Sequence, residues 1–336
     1  MGQLKYLIQR ILKMNYTGML QTVGSIHKKT GRSRIWLFTD MVRCGFRYGA
    51  GYKDYELCAF HDLTDAQRDT YVTRGINNRI VQLLNDPNFY HYMRDKRIFN
   101  QTYAPYIHRA WMDMTNASYE DFAAFMEGLD QIIAKPSSAS CGQGLEILRR
   151  SDFHDLRQMF THLQVIQSGL IEEVIVQHPA ISAIYPHSVN TYRIVTVQRD
   201  GVAHVVYGFI RIGNGGQFVD NINAGGMAAP IDPETGVIQY AAYDKNGNCY
   251  DTHPATGHPI VGHELPYWKE ATEMCLAAAQ VIPQLGYIGW DIAVSEDGPQ
   301  LIEGNEFPGH DILQMPPHVP EKIGMLPRFR KFLPEL

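Results

Sequence analysis

The stretch Gly289–Gly309, GWDIAVSEDGPQLIEGNEFPG, decides how the rest of the chain is interpreted. An apolar run containing Asp291 is followed by the polar turn SEDG and a second apolar run, PQLIEGN, which predicts a β-hairpin. Glu303 and Asn305 are two residues apart, so they share one face of the second strand and can converge with Asp291 on one point. Two carboxylates and an amide suit Mg²⁺, which prefers oxygen ligands. The alternative is a plain hairpin with a solvated acidic turn.

Two segments upstream carry further polar residues at the ends of predicted strands. Lys135 closes the run QIIA and precedes Pro136 and the small-residue loop SSASCGQG. Such a lysine can point its ammonium at a phosphate while the backbone N–H groups of the loop surround the same anion. The segment GLIEEVIVQHP predicts a strand with Glu172 and Glu173. Taken alone, an exposed lysine in a turn and a strand with two exposed glutamates remain alternatives.

Together these segments resemble the ATP-grasp family, in which an Asp, a Glu and an Asn on a hairpin hold two Mg²⁺ on the phosphates of ATP. The order of lysine, small-residue loop, glutamate-rich hinge and metal hairpin is the same here. The resemblance implies ATP and Mg²⁺, with two ions, as cofactors. It makes Asp291, Glu303 and Asn305 the metal ligands.

The resemblance also implies which residues contact the nucleotide. Lys96 and Lys135 would contact the phosphates, and Glu172 would face the adenine amino group. The other implied residues are Ser138, Ser140 and Gly142 in the loop, Glu173, Val174 and Ile175 at the adenine edge, and Gln177 or His178 at the ribose.

Two arginines alternate with apolar residues, in HSVNTYRIVTV and GFIRIGNGG, so that Arg193 and Arg211 can each face one side of a sheet. Phosphoryl transfer through an anionic intermediate needs fixed cations, which arginine supplies. Many ATP-grasp ligases carry an arginine two residues before the metal aspartate, where this chain has Gly289. Arg193 or Arg211 would supply the missing charge.

The segments SVNTYR, VDNINAGGMAAPID, THPATGHPIVG, GWD and LIEGN together resemble one subgroup, the sugar-transfer-associated ATP-grasp proteins of surface polysaccharide loci. This resemblance implies a substrate-binding group formed by Asn190, Asn221, Gly225, Gly226 and His310.

The bulk composition, 336 residues with 45% hydrophobic and 19% charged, is that of a globular protein. No run of 18 apolar residues exists, so no transmembrane helix is predicted. Five scattered cysteines without a CxxC motif indicate a reducing compartment, and we expect a cytoplasmic protein. We expect no nucleic-acid partner.

Charge is unevenly distributed. Residues 1–110 hold 17 Lys and Arg against 8 Asp and Glu, a balance of +9, and the remainder holds 13 against 27, a balance of −14. The basic part either binds an anionic partner or is a solvated surface. Residues 3–15 predict a basic amphipathic helix, which either docks on its own domain or associates peripherally with the inner face of a membrane.

The expected fold is α+β: an ATP-grasp fold of two lobes with antiparallel sheets that grip ATP, preceded by a mainly helical N-terminal region. Residues 1–90 would form the helical region, 91–185 the first lobe and 186–336 the second. Asp62 or Thr64 is expected to cap a helix. Residues 267–284 predict the helix that precedes the metal hairpin.

The resemblance implies an ATP-dependent carboxylate–amine ligase working through an acyl phosphate. Its partners would be a small-molecule or glycan-linked carboxylate, such as a uronic acid, and an amine or amino acid. A phosphotransferase and a non-catalytic nucleotide-binding partner of a polysaccharide assembly complex are the alternatives.

Overall fold

The computed structural model describes residues 15–136, 144–216 and 218–336. They separate into two compact units, one formed by residues 15–80 with His310–Leu336 and the other by Val81–Gly309. The helix predicted over residues 3–15 lies outside the described residues, apart from its last position.

The described α-helices are α1 (Tyr16–Thr30), α2 (Arg34–Tyr48), α3 (Tyr52–Leu57), α4 (Asp65–Arg68), α5 (Arg74–Leu84), α6 (His91–Arg94), α7 (Lys96–Thr102), α8 (Tyr119–Phe125), α9 (Leu156–Val165), α10 (Pro179–Ile184), α11 (Trp268–Ala279) and α12 (Leu326–Arg330). The strands are β1 (Trp111–Asp113), β2 (Gln131–Pro136), β3 (Glu146–Arg149), β4 (Ser168–Glu173), β5 (Tyr192–Arg199), β6 (Val202–Ile212), β7 (Met227–Ile231), β8 (Ala242–Asp244), β9 (Cys249–Tyr250), β10 (Tyr287–Ser295) and β11 (Gly298–Asn305).

The first unit is helical because its segments carry clear start and stop signals. The side chain of Asn15 accepts the N–H of Gly18 at the start of α1, and Gly31 ends that helix in the left-handed conformation. Thr64 caps α4 in a capping box with Gln67, as one of the two predicted caps. Within the core of the unit, the buried Arg68 donates to both oxygens of the buried Asp40.

The C-terminal residues belong to this helical unit. The side chain of Gln314 accepts the N–H and donates to the C=O of Val72, and the N–H of Leu326 donates to the C=O of Thr70. The predicted regions were 1–90, 91–185 and 186–336. Their boundaries differ from those of the two observed units. Residues 81–90 lie in the second unit, and 310–336 lie in the first.

A small antiparallel sheet with the strand order β1-β4-β2-β3 forms one side of the second unit. Ile132 and Ile171 on its inner strands pack against Phe122 of α8 and Met159 of α9. Because neighbouring strand residues alternate between faces, Lys135 projects from the other face, towards the cleft described below.

A seven-stranded antiparallel sheet, ordered β11-β10-β5-β6-β7-β8-β9, forms the other side. Trp290 and Ile292 of β10 are fully buried with Ala271 and Cys275 of α11, and Asp291 between them faces the opposite way. The apolar face of the predicted hairpin is thus packed on a helix, which leaves its polar face to line the cleft.

The α+β fold with antiparallel sheets is confirmed, and so is the closing hairpin of β10 and β11. The strand predicted in GLIEEVIVQHP is present and contains Glu172 and Glu173, but it ends at Glu173, and the residues VIVQHP that follow are not in the sheet. The helix predicted to reach residue 284 ends earlier, at Ala279.

Candidate active site

A cleft of about 170 Å³ lies between the two sheets of the second unit. Its apolar lining comes from both sheets and their connections: Ile133, Leu145, Ile147, Val174, Ile175, Val189, Phe218, Val219 and Ile302. Its polar lining comprises Lys135, Glu172, Glu173, Thr191, Arg211, Asp220, Asn221, Asp291 and Glu303. A cleft that is lined by apolar side chains and into which several polar groups converge is the usual form of a small-molecule site.

The hairpin brings Asp291 and Glu303 directly opposite each other, on β10 and β11. A β-bulge follows at once, since Ile292 is paired with Leu301 and Ile302 is the extra residue. Leu301 remains in the core, whereas Ile302 and Glu303 both line the cleft. The bulge therefore turns Glu303 towards Asp291, a use of bulges that is common at functional sites.

Asp291 is fully buried and held by two arginines. Arg193 binds it through two nitrogens, with Nη2 2.7 Å from Oδ2, and Nη2 of Arg211 lies 2.7 Å from the same oxygen. Burial alone would raise the pKa of Asp291, but the two arginines outweigh it and lower that pKa to about 2. Arg211 also lies 3.5 Å from the buried Asp220, which accepts two hydrogen bonds from Thr191.

Glu303 is in the opposite electrostatic situation. Burial and the carboxylate of Asp291, which lies directly opposite on β10, raise the pKa of Glu303. Two carboxylates in contact repel each other unless a cation or a proton lies between them. Glu303 thus has the character of a metal ligand rather than of an ion-pair partner.

The donor set fits Mg²⁺. Asp291 and Glu303 supply carboxylate oxygens within the cleft. Asn305 is not among the residues that line the cleft; among the described residues its Oδ1 accepts the N–H of Phe307, at 2.9 Å, which leaves a second lone pair. Within the described ranges, no three His, Cys, Asp or Glu side chains are arranged to hold a metal. A cation here would therefore complete its coordination with amide, water or phosphate oxygens.

Arg193 occupies the space that Gly289 leaves open. A Cβ built on Gly289 would lie 3.1 Å from Cδ and 3.4 Å from Nη1 of Arg193. Arg193 sits directly across from Asp291 on β5, so its side chain crosses the neighbouring strand at Gly289. The structure thus supplies a cation from β5 at the place where the sequence lacks one on β10.

The other end of the cleft is built around Glu172. This buried carboxylate accepts hydrogen bonds from Lys135 at 2.5 Å, from Asn100 at 2.9 Å and from Arg109 at 2.6 and 3.0 Å. Burial would raise the pKa of Glu172, but Lys135 and Arg109 outweigh it and lower the pKa far below its ordinary value. Both oxygens are therefore in use, and the assignment of Glu172 to the adenine amino group is corrected: it positions Lys135.

Arg109 has no counterpart in the sequence prediction. It is buried, binds Glu172 through two nitrogens, and donates to the C=O of Leu301 at 2.7 Å and to Gln300 at 3.3 Å. Arg109 therefore joins β4 of the small sheet to β11, immediately before the bulge that carries Glu303. A lone arginine in HRAW gives no local signal of this role.

The hinge after β4 keeps part of its predicted character. Val174 and Ile175 line the cleft, and within the described residues the N–H and C=O of Ile175 make no hydrogen bond. Glu173 also lines the cleft, although its Oε2 accepts the N–H of Ala110 at 3.1 Å. These are the features expected of a backbone segment that recognises the edge of a base.

Gln177 was predicted to contact the ribose, and its observed contacts give it a different role. Its Nε2 donates to Ser182 and Tyr185, and its Oε1 accepts the N–H of Asn190 at 2.6 Å. Its side chain therefore braces a loop rather than reaching a ribose. His178, the alternative, caps α10 by accepting the N–H of Ala180.

Lys96 begins α7 and is half-buried, with no hydrogen bond or ion pair to a described residue. It is not among the residues that line the cleft, and its contact with the nucleotide phosphates stays a prediction. Ser138, Ser140 and Gly142 lie outside the described residues.

The predicted substrate-binding residues separate into different roles. Asn221 lines the cleft, and the positive φ of Gly225 and the close approach of Gly226 to the backbone of Asp220 shape the tight turn that follows it. Asn190 is corrected, because its amide is used by Tyr185, Ser188 and Gly213 in the interior.

His310, also predicted to bind substrate, belongs to the helical unit. It is buried in the helical unit, where Nε2 lies 3.0 Å from Oδ1 of Asp54. Its assignment to substrate binding stays a prediction, since the second unit, which contains the cleft, ends at Gly309.

Comparison with known proteins gives one family match. A family model described as sugar-transfer associated ATP-grasp matches residues 75–331. No protein with curated annotation matches the chain.

Several solved structures are similar at low identity. D-cycloserine synthetase DcsG is 13% identical over 84% of this chain and 92% of its own, with a TM-score of 0.44. D-alanine–D-alanine ligase from Bacillus anthracis is 14% identical over 77% and 74%, with a TM-score of 0.42. The ATP-grasp ligase PsnB, solved with a minimal precursor, is 12% identical over 73% of this chain, with a TM-score of 0.42. The chain spans 64% of the PsnB chain, which is less than two thirds.

Proposed function

The chain belongs to the sugar-transfer associated ATP-grasp family, and on that premise we propose that it is an ATP-dependent carboxylate–amine ligase. In this reaction the γ-phosphoryl group of ATP passes to a substrate carboxylate, giving an acyl phosphate and ADP. An amine then attacks the carbonyl carbon. The C–N bond forms as the bond to phosphate breaks, and the products are an amide, inorganic phosphate and a proton.

The observation that carries the proposal is the placement of two carboxylates, Asp291 and Glu303, directly opposite each other on paired strands in the same cleft as the buried Lys135. The lysine provides positive charge for phosphate oxygens, and the carboxylates provide a cation site. Phosphoryl transfer depends on such positioning and electrostatic stabilisation rather than on a protein nucleophile.

The nucleotide side of the cleft is assigned to residues of the small sheet and hinge. Glu172 and Arg109 hold Lys135 in place, and its ammonium would contact phosphate together with Lys96. Apolar side chains such as Ile133 and Val174 would cover the faces of the base, and the backbone of Ile175 would contact its edge.

The metal side is assigned to Asp291, Glu303 and Asn305. Mg²⁺ bound there would neutralise charge on the phosphate oxygens and align the transferred group. Arg211 is half-buried beside Asp291 and lines the cleft, so its guanidinium can stabilise negative charge on the acyl phosphate. Arg193 keeps Asp291 ionised and oriented as a ligand.

For the substrates we infer a glycan- or nucleotide-linked uronic acid and an amino acid or other amine, and for the location the cytoplasm, where ATP is available. The sugar-transfer description of the family supports the first part. The cationic charge of residues 1–110 would attract an acidic substrate.

The test is incubation of the purified protein with Mg-ATP, hydroxylamine as a general amine, and a panel of carboxylates that includes nucleotide-linked uronic acids and amino acids. We expect hydroxamate and ADP in equal amounts with one carboxylate. ADP with a phosphorylated product and no hydroxamate would instead indicate a phosphotransferase. ATP binding without turnover of any carboxylate would favour a non-catalytic nucleotide-binding partner.

A further inference from the structure

The connection between α1 and α2 forms an exposed tip on the helical unit. Residues 28–36, KKTGRSRIW, are all exposed, and they form the longest such run around these two helices. We call this segment the hairpin tip. It belongs to the first unit, and none of its residues is assigned a role in the proposed reaction.

The hairpin tip is strongly cationic. It contains Lys28, Lys29, Arg32 and Arg34, and no Asp or Glu occurs anywhere in residues 16–39. Arg32 is 2.8 Å from Asp62, and the other three cations make no ion pair with any residue that the structure describes. The positive charge is therefore largely uncompensated.

Apolar side chains are exposed beside these cations. Ile35 is 79% exposed, the largest value for a large hydrophobic residue in the described chain, and the adjacent Trp36 is 41% exposed. The Arg32 guanidinium lies 5.1 Å from the centre of the Trp36 ring. A solvated basic surface explains the charges but gives no reason to expose an isoleucine and a tryptophan at the same place.

The backbone of the hairpin tip is held in one conformation. The N–H of Gly31 donates to the C=O of His27, the His27 ring lies 2.8 Å from the C=O of Arg32, and the side chain of Ser33 caps α2. Ile35 and Trp36 are thus presented on a fixed support, which lowers the entropic cost of docking.

We propose that the hairpin tip binds an anionic membrane surface peripherally. Lysine and arginine would contact lipid phosphates, and Ile35 and Trp36 would enter the interfacial layer, where tryptophan is favoured. This combination fits a lipid surface better than a nucleic acid or an acidic protein, because exposed apolar side chains lie next to uncompensated cations, and a membrane interface accepts both.

The experiment is sedimentation of the full chain with phosphatidylcholine vesicles that contain or lack phosphatidylglycerol, at low and high salt. We expect binding only to the anionic vesicles, weakened by salt. The variant Lys28→Gln/Lys29→Gln should bind about fivefold less tightly for each lysine removed, since each is worth about 1 kcal/mol at such a surface. Ile35→Ser/Trp36→Ser should bind on the order of tenfold less tightly.

Matched controls separate the hairpin tip from general charge and hydrophobicity. Arg149→Gln/Arg150→Gln removes another exposed basic pair, and Val165→Ser removes another exposed apolar side chain; both should bind like the unaltered chain. Brominated lipid should quench tryptophan emission in the unaltered chain and less in Trp36→Phe.

Three results would overturn the proposal. The first is no binding to anionic vesicles, which would leave an acidic protein or nucleic acid as the partner. The second is equal loss of binding in the control variants. The third is unchanged binding in both tip variants with loss in Lys5→Gln/Lys13→Gln, which would assign the contact to the N-terminal residues.

Discussion

The two ends of the cleft use the same chemical groups in opposite proportions. At the small sheet, Lys135 and Arg109 share one carboxylate, Glu172, so that positive charge is in excess. At the β10–β11 hairpin, Arg193 and Arg211 face three carboxylates, those of Asp220, Asp291 and Glu303, so that negative charge is in excess. A ligand that brings phosphates to the first end and a divalent cation to the second would satisfy both.

The comparison shows that a glutamate's role depends on which groups satisfy it. The pKa of Glu172 is lowered, because Lys135 and Arg109 outweigh the effect of burial. The pKa of Glu303 is raised by burial and by Asp291. The first glutamate is a counter-ion that stabilises the folded cleft, and the second, which we propose as a metal ligand, costs stability until a cation is present.

The largest effect is expected from Glu303→Gln. Removing this carboxylate should lower kcat on the order of a thousandfold, since bound metal contributes several kcal/mol to such a transition state. The matched control is Glu296→Gln in the exposed turn of the same hairpin, which should leave kcat unchanged. Steady-state ADP release measures both, and normal turnover by Glu303→Gln would remove the metal assignment.

The corresponding glutamate-to-glutamine substitution at the small-sheet end of the cleft should change the stability of the protein. Glu172→Gln leaves Lys135 and Arg109 buried without a counter-charge, which should lower the free energy of unfolding by about 3–5 kcal/mol. Glu303→Gln should not lower it, because that change relieves repulsion from Asp291. Urea unfolding at neutral pH compares the two variants, and an equal loss in both would contradict the distinction between the two ends.

The pH dependence of this difference has a definite sign. A carboxylate whose folded pKa is lowered contributes stability above its unfolded pKa, about 4.5 for Glu172, and loses it as the pH falls below that value. The gap in stability between the unaltered chain and Glu172→Gln should therefore be full at pH 7 and should shrink below pH 4.5.

The end of the cleft at the β10–β11 hairpin, which we call the metal end, was the easier of the two ends to predict from the sequence. Its proposed ligands lie within fifteen residues on one hairpin, where strand alternation predicts the faces, and the family match confirms the resemblance from which the metal assignment was made. The bulge at Ile302 was not predicted, because an extra residue in one strand leaves no signature in the alternation of LIEGN.

The end of the cleft at the small sheet, which contains Lys135, was harder to predict because its contacts join segments that are distant in the sequence. Arg109 and Glu172 are 63 residues apart, and only the pairing of β1 with β4 brings them together. Gln177 and Asn190 resembled ligand-binding residues, but their amides satisfy nearby backbone groups. Which partner occupies a polar side chain is a property of packing and cannot be obtained from residue type.

A smaller effect on kcat is expected when the arginine beside Asp291 is moved from position 193 to position 289. Arg193→Ala should lower kcat roughly a hundredfold, because one of the two cations that orient Asp291 is lost. Gly289→Arg alone should destabilise the protein, since its side chain would collide with that of Arg193. The double variant Gly289→Arg/Arg193→Ala should recover part of both losses, so the cycle should be clearly non-additive. Additive losses would show that Arg193 does not stand in for a cation at position 289.

The smallest effect is expected at Arg109, which joins the two ends of the cleft through Glu172 and the C=O of Leu301. Arg109→Lys keeps the positive charge but loses the paired hydrogen bonds to Glu172, and its shorter reach cannot also hold the C=O of Leu301. We expect KM for ATP to rise about tenfold with little change in kcat, because Lys135 is less well positioned while the metal ligands remain. Arg97→Lys, which alters a half-buried pair with Asp95, is the matched control and should change neither constant. If kcat fell instead of KM rising, Arg109 would act mainly through β11 and Glu303, and the two ends could not be treated as separate parts of one site.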